Sequence, residues 1–135
     1  MMLSDVRDYV ESIELADHVY MGSLPDKQEK SIGVYNSKHQ QEYKTALGGP
    51  QLVSYGTKYV SLLIHWNNSP RLSEKAAMTV FEAVETARSV TVNDELIKFI
   101  QPLYEPQDVG KDDAGICEWV IEMAVIYEKG KGEKE

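Results

Sequence analysis

The stretch YEPQDVGKDDAGICEW, Tyr104 to Trp119, crowds three aspartates and two glycines into one segment. Loops rich in oxygen and punctuated by glycine often bind calcium. An EF-hand loop needs side-chain oxygens at positions 1, 3 and 5, glycine at position 6 and a bidentate glutamate at position 12. A loop starting at Asp108 would put Gly110 at the third position, Asp113 at the sixth and Trp119 at the twelfth. The spacing therefore does not predict a calcium loop.

A loop starting at Asp112 fits calcium less well, because Ala114 and Ile116 would then occupy the third and fifth positions. Aspartate and glycine also supply the backbone conformations of tight turns, and an alternating apolar run follows directly. We therefore predict that the segment turns the chain and starts a strand, and that it holds no metal.

Other residues with chemical potential do not form a recognisable site. His18, His39 and His65 are far apart, and no HxH, HExxH, P-loop, GxGxxG or GxSxG pattern is present. His65 adjoins a tryptophan on an apolar strand, so we expect a packed residue rather than a ligand. The single cysteine, Cys117, excludes an intrachain disulfide and reads as a small buried hydrophobe. We predict no catalytic residue and no cofactor.

The overall composition is that of one soluble globular domain. The chain has 135 residues, 42% of them hydrophobic and 27% charged, with a net charge of −8. No basic patch is available to grip nucleic-acid phosphates. No apolar run reaches the ~18 residues of a membrane-spanning helix, and the acidic N-terminus is unlike a signal peptide. We expect a protein that is made and kept in a cytoplasm.

Two amphipathic helices are predicted from apolar residues at helical spacing. The first covers Leu3 to Ile13, with Ser4 or Asp5 as its N-cap. The second, the main helix, runs from Glu74 to about Ser89 behind Ser73 as its N-cap.

Alternating and β-prone runs predict about five strands. The first two are expected to form a hairpin, and a turn at Asn93 and Asp94 should precede the fourth. The predicted ranges are Val19 to Leu24, Ser31 to Asn36, Tyr59 to Trp66, Ile97 to Leu103 and Ile116 to Lys129.

The last of these strands exceeds the usual strand length, so part of it is expected to pair with, or pack on, another chain. Its acids, Glu118, Glu122 and Glu128, fall on the face opposite its apolar residues. We predict an α+β fold with a largely antiparallel or mixed sheet and two main helices packed against it. The single domain would cover residues 1–129, with a mobile arm at about 38–57 and a disordered tail at 130–135.

Three stretches in this order, EKSIGVYN, VSLLIHWN and EPQDVGKDDAGICEWVIEMAVIYE, resemble the minor capsid or tail terminator proteins of long-tailed bacteriophages and prophages of Gram-positive bacteria. The resemblance covers Leu3 to Lys129. It implies a small α+β domain that assembles into a ring, commonly a hexamer, at the head-proximal end of the tail. Such a ring ends tube growth and joins the tail to the head connector.

The resemblance also implies partners and a location. The partners would be further copies of this chain, the tail-tube protein and a head-completion or connector protein, with no membrane. DNA would only pass through the lumen, for which an acidic protein is suited. The protein would reside in the virion tail after assembly in the host cytoplasm. Under this reading the arm and the acidic loop Glu105 to Gly115 are candidate contact segments. The candidate interface acids are Asp108, Asp112, Asp113, Glu118, Glu122 and Glu128.

Two other interpretations stay open on the sequence alone. One is a cytoplasmic metal-dependent enzyme with its site in the acidic loop, residues 105–115. The other is a dimeric adaptor that uses the same loop or the edge of the C-terminal strand.

Overall fold

The computed structural model describes residues 1–22, 29–37 and 55–128. In this part of the chain, two helices lie against a mixed seven-stranded sheet, so the predicted α+β class is confirmed and the strand count of about five is too low. The predicted arm falls mostly outside the described residues, except that 55–57 belong to a strand. The predicted tail at 130–135 lies outside them entirely. The elements are α1 (Leu3–Ser12), β1 (His18–Met21), β2 (Ser31–Asn36), β3 (Tyr55–His65), α2 (Pro70–Glu85), β4 (Arg88–Val92), β5 (Glu95–Pro102), β6 (Gln107–Lys111) and β7 (Cys117–Glu128).

Strand β7 is the centre of the sheet. One of its edges pairs antiparallel with β3 from Tyr55 opposite Glu128 to His65 opposite Glu118. The other edge is shared by β5, near the end of β7, and by β6, near its start. The prediction that part of this strand pairs with another chain is wrong, because both edges are used within the chain. Packing of β7 on another chain stays a prediction.

The sheet order is β1-β2-β3-β7-β5-β4, with β6 beside β7. The predicted hairpin of β1 and β2 is wrong, since the two strands run parallel, with His18 opposite Ser31 and Met21 opposite Val34. Alternating polar and apolar residues look the same whether a strand runs parallel or antiparallel to its partner. The direction of β1 is therefore set by its tertiary contacts and not by its own residue pattern. Here α1 packs over β1 and β2, and β1 forms the edge.

Two of the strands, β4 and β6, are not among the five predicted from the sequence, for different reasons. The predicted main helix extends to about Ser89 and so overlaps the start of β4, whereas α2 ends at Glu85. Strand β6, QDVGK, is exposed throughout and is interrupted by a bulge at Gly110, where φ is +98°. It has little β-propensity and is a strand only because the edge of β7 offers backbone partners.

The turn predicted at Asn93 and Asp94 is confirmed. Both residues have positive φ, 52° and 65°, as a two-residue hairpin between antiparallel strands requires. The Asn93 side-chain amide also donates to Asp5 Oδ1 and Asp8 Oδ2, at 3.0 and 2.8 Å. This contact ties the β4–β5 hairpin to α1.

The helix boundaries differ from the predicted ones. In α1 the N-cap is Met2, whose backbone N–H donates to Asp5 Oδ2 at 2.8 Å from the third helical position. In α2 the N-cap is Ser69, followed by Pro70, which suits the first helical position because it lacks an N–H.

Ser73, the predicted N-cap, instead lies buried in the first turn of α2. Its hydroxyl donates to the carbonyl and side-chain oxygens of Asn67, both at 3.2 Å. The residue thus fixes the helix to the chain that leaves β3.

Both helices pack on the same face of the sheet and close one hydrophobic core. The buried residues of α1 and α2 meet the alternate apolar residues of the central strands. The most deeply buried strand residues are Ile32, Leu62, Ile64, Ile97, Ile121 and Met123. The predicted apolar faces of β3 and β7 are confirmed by this packing.

The core residue Ile121 should therefore contribute more to the stability of the fold than Ile126, which lies on the other face of β7. We expect Ile121→Ala to lower the free energy of unfolding by about 2–5 kcal/mol, because it removes buried contacts and leaves a cavity. Ile126→Ala, at a half-buried position of the same strand, should lower it clearly less. Urea unfolding of both variants measures the difference, and equal losses would contradict the assignment of the two faces.

Candidate functional site

The face of the sheet away from the helices carries most of the polar side chains of the central strands. We call it the distal face. Its residues alternate with the core residues and pair across the strands, with Tyr35 opposite Ser61, Ser61 opposite Glu122, and His65 opposite Glu118. Members of this face are Tyr35, Tyr59, Ser61, Leu63, His65, Glu118, Val120, Glu122, Ala124, Ile126 and Glu128.

At one end of the distal face, His65 meets two carboxylates. Its Nε2 atom lies 2.7 Å from Asp112 Oδ2 and 3.8 Å from Glu118 Oε2. Only 5% of the His65 side chain is exposed, against 27% for Asp112 and 23% for Glu118. The imidazole is thus packed, as predicted, and the carboxylates separate it from solvent.

Asp112 is held in place by the turn that precedes β7. Its Oδ1 atom accepts hydrogen bonds from the backbone N–H groups of Ala114 and Ile116, both at 2.9 Å. Gly115 has a φ of +82°, which favours glycine, and its N–H donates to the carbonyl of Asp112. The predicted turn is confirmed, and the same aspartate side chain both closes it and contacts His65.

The electrostatics of the cluster differ for the two acids. The hydrogen bond with His65, followed by the N–H group of Ile116, lowers the pKa of Asp112. Burial raises the pKa of Glu118, Asp112 raises it further, and His65 opposes both. Glu118 also contributes, after burial, to a raised pKa of Tyr35 on the neighbouring strand. Asp112 therefore holds its negative charge more readily than Glu118 does.

The other predicted interface acids do not join this cluster. Asp108 and Asp113 are exposed, and Asp108 Oδ1 accepts from the N–H of Gly110 at 2.9 Å. Glu122 accepts a hydrogen bond from the buried Ser37 hydroxyl at 2.7 Å. Glu128 lies at the far end of β7. The structure thus brings together only Asp112 and Glu118 of the predicted set.

Sequence analysis did not connect His65 with these acids. They are separated by 47 residues or more along the chain and meet because β3 and β7 pair in register. Local periodicity does not specify that register. The polar position of His65 in an otherwise apolar strand was its available signal.

A groove of about 580 Å³ occupies the opposite end of the distal face. It lies between β3, β7 and β5, and both aromatic and charged residues line it, among them Tyr55, Tyr59, Lys98, Phe99 and Ile126. Phe99 is 38% exposed and Tyr55 is 50% exposed. The distal face therefore combines a groove of mixed aromatic and polar lining at one end with the His65 cluster at the other.

No helix in the described ranges has the length and hydrophobicity needed to cross a membrane.

The double role of Asp112 predicts that it stabilises the fold more than its neighbour in the same turn. Asp112→Ala removes the acceptor for two N–H groups and the contact with His65, so we expect a lower melting temperature. Asp113→Ala removes an exposed side chain and should leave the melting temperature near that of the original protein. Thermal unfolding followed by circular dichroism compares the two, and an equal effect would show that the turn does not depend on Asp112.

Comparison with known proteins supports the relationship that the quoted stretches suggested. The sequence profile of a family described as bacteriophage tail terminator protein matches residues 5–129. No curated protein sequence matches the chain. The matched range includes both helices except the first two residues of α1, all seven strands, the His65 cluster and the groove. The chain belongs to the bacteriophage tail terminator protein family.

Proposed function

We propose that this protein ends the growth of the phage tail tube and joins the tail to the head connector as a ring of identical subunits, commonly a hexamer. The observation that carries the proposal is the family match over residues 5–129. The role is structural rather than catalytic. Its partners are further copies of the chain, the tail-tube protein and a head-completion or connector protein, and its place is the virion tail after assembly in the host cytoplasm.

The geometry gives less support to a metal-dependent enzyme at the acidic loop. The groove is lined by Ala124 and Ile126 of β7, whereas the His65 cluster lies at Glu118. At ~3.3 Å per residue, the two are about 20 Å apart along the strand. A substrate in the groove would not reach the carboxylates.

Charge complementarity between two surfaces supports head-to-tail contact with a second copy. The distal face carries Glu122 and Glu128. The start of α2 exposes Arg71, Leu72 and Lys75 around a single acid, Glu74. Neither Arg71 nor Lys75 forms a salt bridge with another described residue.

These two surfaces lie on opposite sides of the subunit, because α2 packs on the core face of the sheet. They cannot meet within one chain, but they can meet between neighbours. A contact between two different patches closes into a ring when its rotation allows. The distal-face acids Glu122 and Glu128 would then face the start of α2 in the next subunit.

The net charge of −8 is consistent with a ring through which DNA passes. Like charges on the lumen wall and on the phosphates would keep the DNA from adhering.

Tube growth in vitro tests the function directly. Purified tail-tube protein polymerising alone should give tubes that continue to lengthen, and adding this protein should fix their length and leave a ring at one end. Electron microscopy measures tube length and end structure. Tubes that lengthen equally with and without the protein would contradict the proposal.

Charge reversal tests the proposed contact between subunits. Glu122→Lys combined with Glu128→Lys should weaken ring formation, and so should Arg71→Glu combined with Lys75→Glu, because each set places like charges together. Combining both sets should restore assembly. Light scattering and electron microscopy measure the ring fraction at matched protein concentration.

Glu82→Lys, an exposed change on α2 two turns from Lys75, is the matched control and should leave the ring fraction unchanged. If the combined variant assembles no better than either set alone, the acidic face and the start of α2 do not contact each other.

A further inference from the structure

The cluster of His65, Asp112 and Glu118 offers three ligand atoms from three parts of the fold. The imidazole comes from the end of β3, one carboxylate from the turn before β7 and the other from β7 itself. All three ligand atoms lie within 4.8 Å of one another. We propose that this cluster binds a single divalent transition-metal ion, for which zinc is the best fit.

The distances match those of a small coordination sphere. Zinc binds imidazole nitrogen and carboxylate oxygen at ~2.0–2.2 Å, so two ligands at a tetrahedral angle are about 3.4 Å apart. The separations from His65 Nε2 are 2.7 Å to Asp112 and 3.8 Å to Glu118. These two separations bracket the required value, and each differs from it by less than about one ångström.

The surrounding structure fixes the ligands in position. His65 and Glu118 are directly opposite each other on paired strands, which limits the separation of their side chains. The Oδ1 atom of Asp112 is held by two backbone N–H groups, which leaves Oδ2 directed at the imidazole. Hydrogen bonds of this kind to a ligating carboxylate orient it and strengthen metal binding.

The charge of the cluster favours a cation. Two carboxylates lie within 4.8 Å of each other, and each has about three-quarters of its side chain shielded from solvent. Two ionised carboxylates this close repel each other. A divalent ion between the two acids would offset their repulsion.

The mixture of ligands selects the class of ion. Calcium and magnesium prefer all-oxygen sites, whereas imidazole nitrogen suits zinc and the neighbouring transition metals. On binding, zinc takes the place of the hydrogen on Nε2, and the imidazole stays neutral with its one proton on Nδ1. Three protein ligands leave at least one position for water, on the side where the carboxylates are partly exposed.

This inference is independent of the proposed ring, because it concerns one subunit. It assigns Asp112 and Glu118 to an internal site, whereas Asp108, Asp113, Glu122 and Glu128 stay available for contact with other subunits. Loss of zinc binding and loss of ring assembly can therefore be measured separately.

Metal titration of the purified full chain tests the site. After dialysis against EDTA, isothermal titration with ZnCl₂ should show saturable binding of a single ion per chain. Substituting Co²⁺ should give the visible absorption of a low-symmetry, four-coordinate ion. His65→Gln, Asp112→Asn and Glu118→Gln should each weaken zinc binding by at least about tenfold, the lower bound for a disturbed metal shell.

Matched controls separate this site from adventitious binding. Glu122→Gln changes an acid on the same strand and face, and His18→Gln and His39→Gln change the other two histidines. All three should keep the original affinity. Circular dichroism checks that each variant folds. The Asp112→Asn variant keeps a side-chain oxygen that can accept the hydrogen bonds of the turn.

The proposal would be overturned if the original chain showed no saturable zinc binding. It would also be overturned if folded Glu118→Gln bound zinc as tightly as the original chain does. Equal loss in the controls and in the cluster variants would also overturn it, because the ion would then bind elsewhere.

Discussion

The pairing of β3 with β7 is the constraint on which the rest of the structure depends. These two strands are in register from Tyr55 to His65 on one side and from Glu128 to Glu118 on the other. Every other strand is added to one of them, directly or through a neighbour. Since side chains alternate across a strand, this one register decides which residues of both strands enter the core and which reach the distal face.

The two faces of the sheet then have separate tasks. The helices cover one face and bury its apolar residues, which supplies the stability of the subunit. The distal face carries the His65 cluster at one end and the groove between β3, β7 and β5 at the other. In the proposed ring, the distal face meets the helical side of the next subunit, so that stability and assembly use different surfaces of one small domain.

The acidic segment before β7 shows how one side chain serves local and distant structure together. Asp112 closes the turn through Oδ1 and contacts His65 through Oδ2. The same aspartate that closes the turn therefore places a carboxylate oxygen beside the imidazole. An EF-hand takes its ligands from closely spaced positions of one loop, and this segment does not have that spacing. The proposed metal site takes its ligands from three separate segments, so a search for local spacing could not find it.

The sequence by itself determined the α+β class, the alternating faces of β3 and β7, the turn at Asn93 and Asp94 and the family relationship. These properties follow from local periodicity, from turn chemistry or from the identity of short stretches. Tertiary structure decided the parallel direction of β1, the existence of β6 and the meeting of His65 with Asp112 and Glu118. Each of these depends on backbone partners far along the chain, and neither propensity nor periodicity specifies which distant strand edge a segment will pair with.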